Sequence, residues 1–307
     1  MTQLDLSVNI AGVRLKNPVM SASGTFGSGK ELSRFFDIST MGAIVTKTVT
    51  LTPRLGNPPV RIAETPSGLL NSIGLQNPGI DRFIEDDLSF LKSYDTVKII
   101  SILGESLEEF TKIIEKLNVA YDKGLLHMVE LNLSCPNIDK GGLSFGVDPD
   151  GTRWLISNLK KVAKMPLIAK LSPNVTDIKV MGKAAQEGGA DAVSLINTLL
   201  GMSIDIHKKK FDITHRKVAG LSGPAVKPVA VRMVWEVASV VDIPIIGMGG
   251  ISDSDDAIEF MMAGATGVAV GTASFTNPLA IPQAIDGIRE YMLKYGITDI
   301  KNLPKLK

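Results

Sequence analysis

The sequence predicts a single (β/α)8 barrel, a TIM barrel of the α/β class, spanning residues 1–307 as one domain. Eight short apolar segments rich in Val, Ile and Leu alternate with amphipathic stretches. The apolar segments are continuous rather than alternating, which is typical of parallel strands buried on both faces. A length of 307 residues also suits one barrel domain. A doubly wound open sheet is the alternative, because it has the same strand–helix repeat.

The charge balance and the single cysteine exclude several classes of protein. Lys and Arg total 33 against 32 for Asp and Glu, so a basic field for nucleic acid or a membrane surface is absent. One cysteine, Cys135, permits neither an internal disulfide nor a four-thiolate iron–sulfur cluster. The first residues lack the pattern of a signal peptide, and charges interrupt the longest apolar runs. We expect a cytoplasmic protein without a bound metal.

The eight predicted strands are short, as is usual for a barrel of this size. In chain order they are Val19–Ser23, Ala43–Thr48, Val97–Leu103, Met128–Leu133, Leu167–Leu171, Ala192–Asn197, Ile243–Met248 and Gly267–Gly271.

Segments with helical periodicity lie between most of these strands. They are Leu107–Tyr121, Pro149–Ala163, Ile178–Glu187, Val226–Val240 and Ser254–Met262, the last with Asp253 or Ser252 as its N-cap.

The segment Leu4–Lys16 precedes the first predicted strand. Its alternating apolar residues, interrupted by Ala11-Gly12, predict a β-hairpin that closes the bottom of the barrel. Two long excursions, Leu51–Asn77 and Leu199–Leu221, follow the second and sixth strands. Long loops inside a compact domain are usually functional, and both leave the carboxyl ends of strands, where barrel enzymes hold their active sites.

The cysteine lies in a cluster of polar residues rather than in an apolar run. The sequence Asn132-Leu133-Ser134-Cys135-Pro136-Asn137 ends the fourth predicted strand, and the glycine-rich segment 141–146 follows it. An isolated cysteine usually packs as an inert apolar residue. Here its polar surroundings favour a proton acceptor, since an ordinary thiol has a pKa near ~8.5. The glycines would allow the loop to act as a lid.

Two lysines occur near the ends of otherwise apolar predicted strands. Lys47 is in the second strand and Lys170 in the fifth. Either lysine alone could extend its ammonium to solvent at the rim of the barrel. Together they indicate two cations facing an anionic ligand.

Glycines end the seventh and eighth predicted strands. Gly249 and Gly250 follow the seventh, and Gly271 with Thr272 ends the eighth. Barrels often bind phosphate with backbone N–H groups of these two loops, where a Cβ would prevent close approach. The glycines therefore predict a ligand that bears phosphate, without identifying it.

Motifs distributed along the chain resemble those of the class 1 dihydroorotate dehydrogenases over nearly its whole length. In order they are Asn17-Pro18, Ala22-Ser23-Gly24, Asn71-Ser72-Ile73-Gly74-Leu75-Gln76-Asn77-Pro78-Gly79, Asn132-Leu133-Ser134-Cys135-Pro136-Asn137, Lys170-Leu171-Ser172-Pro173-Asn174, Ile196-Asn197-Thr198, Leu221-Ser222-Gly223-Pro224-Ala225 and Gly247-Met248-Gly249-Gly250.

The resemblance implies oxidation of dihydroorotate to orotate, with FMN as the hydride acceptor, in pyrimidine biosynthesis. Cys135 would remove a proton from C5 while hydride passes from C6 to flavin N5. Lys170 would stabilise the reduced flavin. The implied substrate-binding residues are Lys47, Asn71, Ser72, Ile73, Gly74, Leu75, Asn132, Asn197 and Thr198. The implied FMN-binding residues are Ser23, Lys47, Thr48, Ser101, Asn132, Lys170, Ile196, Gly223, Gly249, Gly250, Gly271 and Thr272.

One position departs from the family pattern. Members often have asparagine at the end of the third strand, where this chain has Ser101. A serine hydroxyl lacks the two-sided hydrogen bonding of an amide, so the implied contact of Ser101 with the flavin is weaker.

The motif Leu221-Ser222-Gly223-Pro224-Ala225 and the string from Gly74 to Gly79 are most similar to the class 1B catalytic subunit. That class implies a homodimer at the core of a heterotetramer, with a partner subunit that carries FAD and a 2Fe-2S cluster and reduces NAD⁺. Three alternatives remain: a class 1A enzyme that reduces fumarate, a dihydropyrimidine dehydrogenase-like flavoenzyme, and a flavin-free phosphate-binding lyase or isomerase. The membrane-bound class 2 enzymes, which use serine as the base, fit poorly because this chain has Cys135.

Overall fold

The computed structural model describes residues 4–133 and 145–306, and it contains a closed barrel of eight parallel strands. The barrel strands follow one another around the barrel in chain order, from Val19–Ser21 to Gly267–Val270, which pairs back with the first. The prediction of a (β/α)8 barrel is therefore confirmed, and the open sheet is excluded.

Sixteen strands lie within the described ranges. In chain order they are β1 (Val8–Ile10), β2 (Val13–Leu15), β3 (Val19–Ser21), β4 (Ala43–Val45), β5 (Ile62–Thr65), β6 (Gly68–Asn71), β7 (Val97–Ile102), β8 (Met128–Asn132), β9 (Leu167–Lys170), β10 (Ala192–Leu195), β11 (Leu199–Gly201), β12 (Ile204–Asp205), β13 (Lys210–Phe211), β14 (Ala219–Ser222), β15 (Ile245–Met248) and β16 (Gly267–Val270). The barrel consists of β3, β4, β7, β8, β9, β10, β15 and β16.

Helices connect most of the barrel strands. The α-helices of the described ranges are α1 (Ile80–Arg82), α2 (Ser89–Leu91), α3 (Leu107–Asp122), α4 (Pro149–Lys160), α5 (Ile178–Glu187), α6 (Lys227–Ala238), α7 (Ser254–Met262), α8 (Ala273–Thr276) and α9 (Ala280–Tyr295). A π-helix, Phe83–Leu88, joins α1 to α2, and short 3-10 helices occupy Leu32–Arg34, Ile38–Thr40, Pro224–Val226 and Ile300–Asn302.

Local sequence explains where the long helices begin and which face they bury. In α3, Phe110, Ile113, Ile114 and Leu117 recur at helical spacing and are buried. The Ser106 hydroxyl caps this helix by accepting the N–H of Glu109 at 3.2 Å. The predicted cap of α7 is Asp253 rather than Ser252, since Asp253 accepts the N–H of Asp256 at 3.0 Å.

The N-terminal hairpin closes the bottom of the barrel, as predicted. Strands β1 and β2 pair across Ala11 and Gly12, which both have positive φ, the conformation that a two-residue type I′ turn requires. Ile10 and Leu15 are completely buried. Ile10 packs so close to Gly267, the first residue of β16, that a Cβ there would lie 3.0 Å from Ile10 Cδ1.

The two long excursions form one antiparallel sheet, which the sequence pattern did not predict. Its strand order is β11-β14-β6-β5, so a strand of the second excursion pairs with one of the first. Gly220 is opposite Asn71, and Leu221 is opposite Leu70. A small apolar core of Leu70, Ile213 and Ala219 supports this sheet outside the barrel. The sheet fixes both excursions relative to each other and to the mouth of the barrel.

Several barrel strands are shorter than predicted. Strand β4 ends at Val45 and β10 at Leu195, so Lys47, Thr48 and Asn197 follow their strands instead of lying within them. Single backbone hydrogen bonds continue past these ends, from Thr46 N–H to Ile99 O and from Asn197 N–H to Leu171 O, so the predicted and observed ends differ by only a few residues. Within the described ranges, no helix is long and apolar enough to cross a membrane.

We predict that Gly42→Ala lowers the free energy of unfolding by about 3 kcal/mol. Gly42 donates its N–H to Val19 O at 2.9 Å, and a Cβ would lie 2.0 Å from the backbone oxygen of Asn17. The first two barrel strands would have to separate to admit the methyl group. Urea denaturation would measure the loss. Gly124→Ala is the control, since that site has open space and only its φ of +69° adds a cost of about 1 kcal/mol. Equal losses in the two variants would contradict the steric argument.

Candidate active site

A chain of hydrogen bonds crosses the mouth of the barrel at the carboxyl ends of its strands. The hydroxyl oxygens of Thr48 and Ser101 are 3.0 Å apart. Asn132 Nδ2 donates to Thr48 Oγ1 at 3.4 Å, and Asn132 Oδ1 accepts from Asn197 Nδ2 at 3.3 Å. Asn197 Oδ1 in turn accepts the N–H of Thr198 at 2.8 Å. Five residues that the sequence assigned separately to cofactor or substrate therefore form one connected polar surface.

Ser101 supports Thr48 within this series of hydrogen bonds. Its side chain is completely buried, and its hydroxyl bonds to that of Thr48. The flavin contact implied for Ser101 stays a prediction.

Lys170, the last residue of β9, extends its ammonium across the barrel. Lys170 Nζ donates to Ser23 Oγ at 2.8 Å and lies 3.6 Å from Glu130 Oε1. Both charged side chains are at most 5% exposed. Glu130 Oε2 accepts a hydrogen bond from Ser194 Oγ at 2.9 Å, whereas Oε1 accepts none within the described residues. The close ion pair is the favourable partner that a buried lysine requires.

Lys47 lies near the same region and has no carboxylate partner within residues 4–133 and 145–306. A Cβ on Gly24 would be 3.6 Å from Lys47 Nζ, which locates this ammonium beside the loop that follows β3. Burial, and then repulsion from the Lys170 ammonium, lower the pKa of Lys47 below its ordinary value. Two lysines thus face the mouth with Glu130 as the one carboxylate paired with them among the described residues. This excess of positive charge favours an anionic ligand.

Gly249 and Gly250, predicted to hold phosphate, and Gly223, predicted to line the FMN, lie where the loops after β10, β14 and β15 approach one another. Gly223, Gly249 and Gly250 all have positive φ. A Cβ on Gly250 would be 2.9 Å from Gly223 O, and one on Gly249 would be 3.2 Å from Ile196 Cγ1. A side chain at either glycine would therefore fill this space or force the loops apart.

The loop after β16 completes the same cluster. Thr272 Oγ1 donates to Ser222 Oγ at 2.8 Å, which joins the end of the barrel to the second excursion. A Cβ on Gly271 would be 3.5 Å from Ala22 Cβ, next to the first barrel strand. The structure thus brings together all the residues that the glycine pattern assigned to phosphate.

The first excursion brings Asn71 to the same end of the barrel. Asn71 Nδ2 donates to Gly220 O at 3.2 Å, and Gly220 approaches Thr198 so closely that a Cβ would be 2.3 Å from Thr198 Oγ1. Asn71 is therefore connected through Gly220 to the polar chain at the mouth.

The residues that follow Asn71 are supported by Asn57. The Ile73 carbonyl accepts the N–H of Asn57 at 2.9 Å, and a Cβ on Gly74 would be 2.6 Å from that asparagine. Leu75 has a φ of +56°, a left-handed conformation that is uncommon for leucine. The segment from Asn71 to Leu75 is thus held in one specific shape. Asn77 is a turn residue, because its amide bonds Thr50, Leu75 and Gly79.

Cys135 and the glycine-rich stretch after it are outside the described residues, except for Phe145 and Gly146. The roles assigned to the cysteine and to the lid stay predictions from sequence. The described chain stops at Leu133, directly after Asn132.

Three residues at the site have no role in the prediction from sequence. Glu130 is a charged residue in an apolar strand, the signal that identified both lysines, and it could have been found in the same way. Asn57 and His215 had no such signal, because they lie in irregular parts of the two excursions. His215 Nε2 is 3.1 Å from Ser72 Oγ.

Comparisons with known proteins identify the family of this chain. The dihydroorotate dehydrogenase family model matches residues 5–292. The catalytic subunit of dihydroorotate dehydrogenase B (NAD(+)) from Alkaliphilus metalliredigens is 56% identical over 303 residues, which cover 99% of each chain. The subunit of the same name from Lachnoclostridium phytofermentans is 55% identical over 300 residues, 98% of each chain.

Among solved structures, the dihydroorotate dehydrogenase of Eimeria tenella in complex with ferulenol has the same fold. Its TM-score is 0.80 at 22% identity, and the match covers 98% of this chain and 88% of that chain.

We predict opposite effects on stability when each lysine is replaced by methionine. Lys47→Met should raise the free energy of unfolding of the ligand-free protein by roughly 0.5–2 kcal/mol, because it removes a partly buried charge that is repelled by the Lys170 ammonium. Lys170→Met should lower it by about 3–5 kcal/mol, since the carboxylate of Glu130 loses its partner. Urea denaturation of both apoproteins would measure the two changes.

The pH dependence provides a further check on Lys47. The pKa of Lys47 is lower in the folded state than in the unfolded state. At neutral pH the lysine is charged in both states, so its charge destabilises the fold fully. As the pH rises through the folded-state pKa toward the unfolded value, the folded protein loses this charge first and the destabilisation decreases. The gain from Lys47→Met should therefore shrink at alkaline pH. A gain that is constant with pH, or a loss at neutral pH, would contradict this account.

Proposed function

The chain belongs to the dihydroorotate dehydrogenase family, and from that premise we propose that it oxidises dihydroorotate to orotate in pyrimidine biosynthesis. We propose further that it is the catalytic subunit of an NAD⁺-linked, class 1B enzyme. The observation that carries this proposal is the pair of lysines at the mouth, of which only Lys170 has a carboxylate partner within the described ranges, beside a surface of amides. Orotate and dihydroorotate are anions with amide edges, so this surface matches them in charge and in hydrogen bonding.

The residues at the mouth also fit FMN. Gly249 and Gly250 lack the side chains that would block a phosphate group, and Thr272 supplies a hydroxyl beside them. The Lys170 ammonium provides positive charge for a flavin ring that becomes anionic on reduction. When bound, FMN supplies the acceptor for the hydride that leaves C6 of the substrate.

Each residue of the cofactor site has a proposed role that follows from its position. Lys170 stabilises negative charge, and its hydrogen bond to Ser23 and its ion pair with Glu130 hold it in place. Thr48 and Asn132 orient polar groups of the ring, with Ser101 supporting Thr48. The remaining proposed FMN contacts are Lys47, Ile196, Gly223, Gly249, Gly250, Gly271 and Thr272.

The substrate would bind between the barrel mouth and the first excursion. We assign its recognition to Lys47, to the amides of Asn71, Asn132 and Asn197, to Thr198 and to the segment 72–75. The hydrogen bonds among these amides fix their orientation before the ligand arrives, which reduces the entropy lost on binding.

We assign proton removal from C5 to Cys135. The cysteine follows Asn132 by three residues, and Asn132 lies at the mouth beside Thr48 and Asn197. A thiol that titrates near ~8.5 is a competent base at mildly alkaline pH.

The electrons would leave through a second protein. The relatives are named as catalytic subunits of an NAD(+) enzyme, which supports a separate partner that completes the reaction. With one cysteine, this chain cannot by itself hold a cluster ligated by four thiolates. We therefore propose that FAD and a 2Fe-2S cluster reside on the partner, which assembles around a homodimer of this chain.

We predict that dihydroorotate bleaches the oxidised-flavin absorbance of the purified yellow chain within one anaerobic turnover. Later addition of NAD⁺ should restore the absorbance only when the partner subunit is present, whereas fumarate should not restore it. A yellow protein that is bleached by dihydrouracil instead would indicate a dihydropyrimidine dehydrogenase. Reoxidation by fumarate would indicate class 1A, and a protein that binds no FMN would overturn the flavin assignment.

We predict that Cys135→Ser slows bleaching by dihydroorotate by about two to four orders of magnitude at neutral pH, because a serine hydroxyl is a much weaker base. Bound FMN and the affinity for orotate should be retained. Stopped-flow absorbance would give the rate, and calorimetry the affinity. Bleaching at the wild-type rate would remove Cys135 from the proton transfer.

A further inference from the structure

His215 lies in the second excursion yet contacts the segment proposed to bind the substrate. Its Nε2 is 3.1 Å from Ser72 Oγ, a contact between residues 143 positions apart in the chain. Ser72 directly follows β6 and is 9% exposed. The contact therefore joins the two excursions at the residue after Asn71, inside the segment 71–75.

Ser72 is held from a second side by Asn57. Asn57 Nδ2 donates to Ser72 O at 3.0 Å and to Ser72 Oγ at 3.1 Å. The N–H of Ser72 donates to Arg61 O at 2.8 Å. The Ser72 hydroxyl therefore bonds to Asn57 and His215, and the Ser72 backbone is held by its bonds to Asn57 and Arg61. Since successive residues of an extended chain face opposite ways, Asn71 and Ser72 serve different neighbours, and Asn71 bonds Gly220.

The hydrogen bond to Ser72 orients the ring of His215. His215 Nδ1 is buried and has no hydrogen-bond partner within the described residues, so Nε2 makes the polar contact of the ring there. Either atom of the His215 Nε2–Ser72 Oγ pair can be the donor, according to the tautomer of the ring. A histidine buried at one nitrogen and bonded at the other is oriented by that one hydrogen bond.

We propose that His215 is a positioning residue for the substrate: through Ser72 it holds the segment 71–75 in the shape that binds dihydroorotate. This inference rests on the proposed function. The segment includes Gly74 and Leu75, both with positive φ, so its shape is not the one that an unsupported chain favours. Without His215, part of the binding free energy would be spent on ordering the segment, and affinity would fall while the chemical step stayed nearly unchanged.

The test measures the reductive half-reaction of the FMN-loaded chain at several concentrations of dihydroorotate, which separates the apparent Kd from the limiting rate. His215→Ala should raise the apparent Kd for dihydroorotate, and the calorimetric Kd for orotate, about five- to tenfold, the value of one hydrogen bond. The limiting rate should change less than about twofold. His215→Gln retains an N–H donor and should recover most of the affinity.

Two further variants separate positioning from general loosening of the fold. Ser72→Ala should weaken binding at least as much as His215→Ala, because it also removes the hydrogen bond from Asn57 Nδ2. The double variant should be no weaker than Ser72→Ala alone, because the bond to His215 is already absent in that variant. His207→Ala is the matched control: His207 is an exposed histidine of the same excursion, and it should bind dihydroorotate like the wild type.

Several results would overturn the inference. These are an unchanged Kd in His215→Ala, multiplicative effects in the double variant, or equal weakening by His207→Ala. If the wild-type chain is reduced by dihydroorotate and any of these is found, the positioning role fails and the proposed function stands. If dihydroorotate does not reduce the wild-type chain, the proposed function fails and this inference fails with it.

Discussion

The site depends on how the barrel accommodates two lysine ammoniums when, in the part of the chain that the structure describes, only Lys170 is paired with a carboxylate. Glu130 and Lys170 are both nearly inaccessible to solvent, and they lie 3.6 Å apart. Ser194 donates a hydrogen bond to Glu130, and Ser23 accepts one from Lys170. Lys47 is left with burial and like-charge repulsion, which lower its pKa. Removing the Lys47 ammonium from water without a partner is unfavourable for folding. An anionic ligand can balance this positive charge.

The eight-strand barrel makes this arrangement possible because it supplies rigid neighbours on all sides. Parallel pairing places Asn132 opposite Lys170, and Lys170 opposite Ser194. These side chains emerge at one height from adjacent strands, and their separation is fixed by the spacing between strands. The glycine cluster uses the same property at the last two strands, where loops without side chains approach closely. Rigid strands therefore hold the charges, and short loops leave room for phosphate.

The two excursions hold further residues of the site in fixed positions outside the barrel. Either one alone would be a long loop of more than twenty residues, but the β6–β14 pairing ties them into one sheet. Through that sheet Asn71 reaches Gly220, and Ser72 reaches His215. The substrate segment is thus positioned by hydrogen bonds to a part of the chain about 150 residues away rather than by its own conformational preference. This is how a segment with left-handed residues such as Leu75 can keep a single shape.

The sequence by itself determined the barrel, its hairpin, the approximate bounds of α3 to α7 and many of the residues gathered at the mouth, because strand and helix periodicity and glycine patterns are local properties. It did not predict α9, although that helix is sixteen residues long. Family motifs added roles for Cys135 and for the flavin site. Only the tertiary structure decided that the excursions pair, that Ser101 supports Thr48, and that Glu130 neutralises one lysine and not the other. These features join residues far apart in the chain, and no local pattern specifies which distant residues meet. They are set by closure of the barrel and by the register between strands.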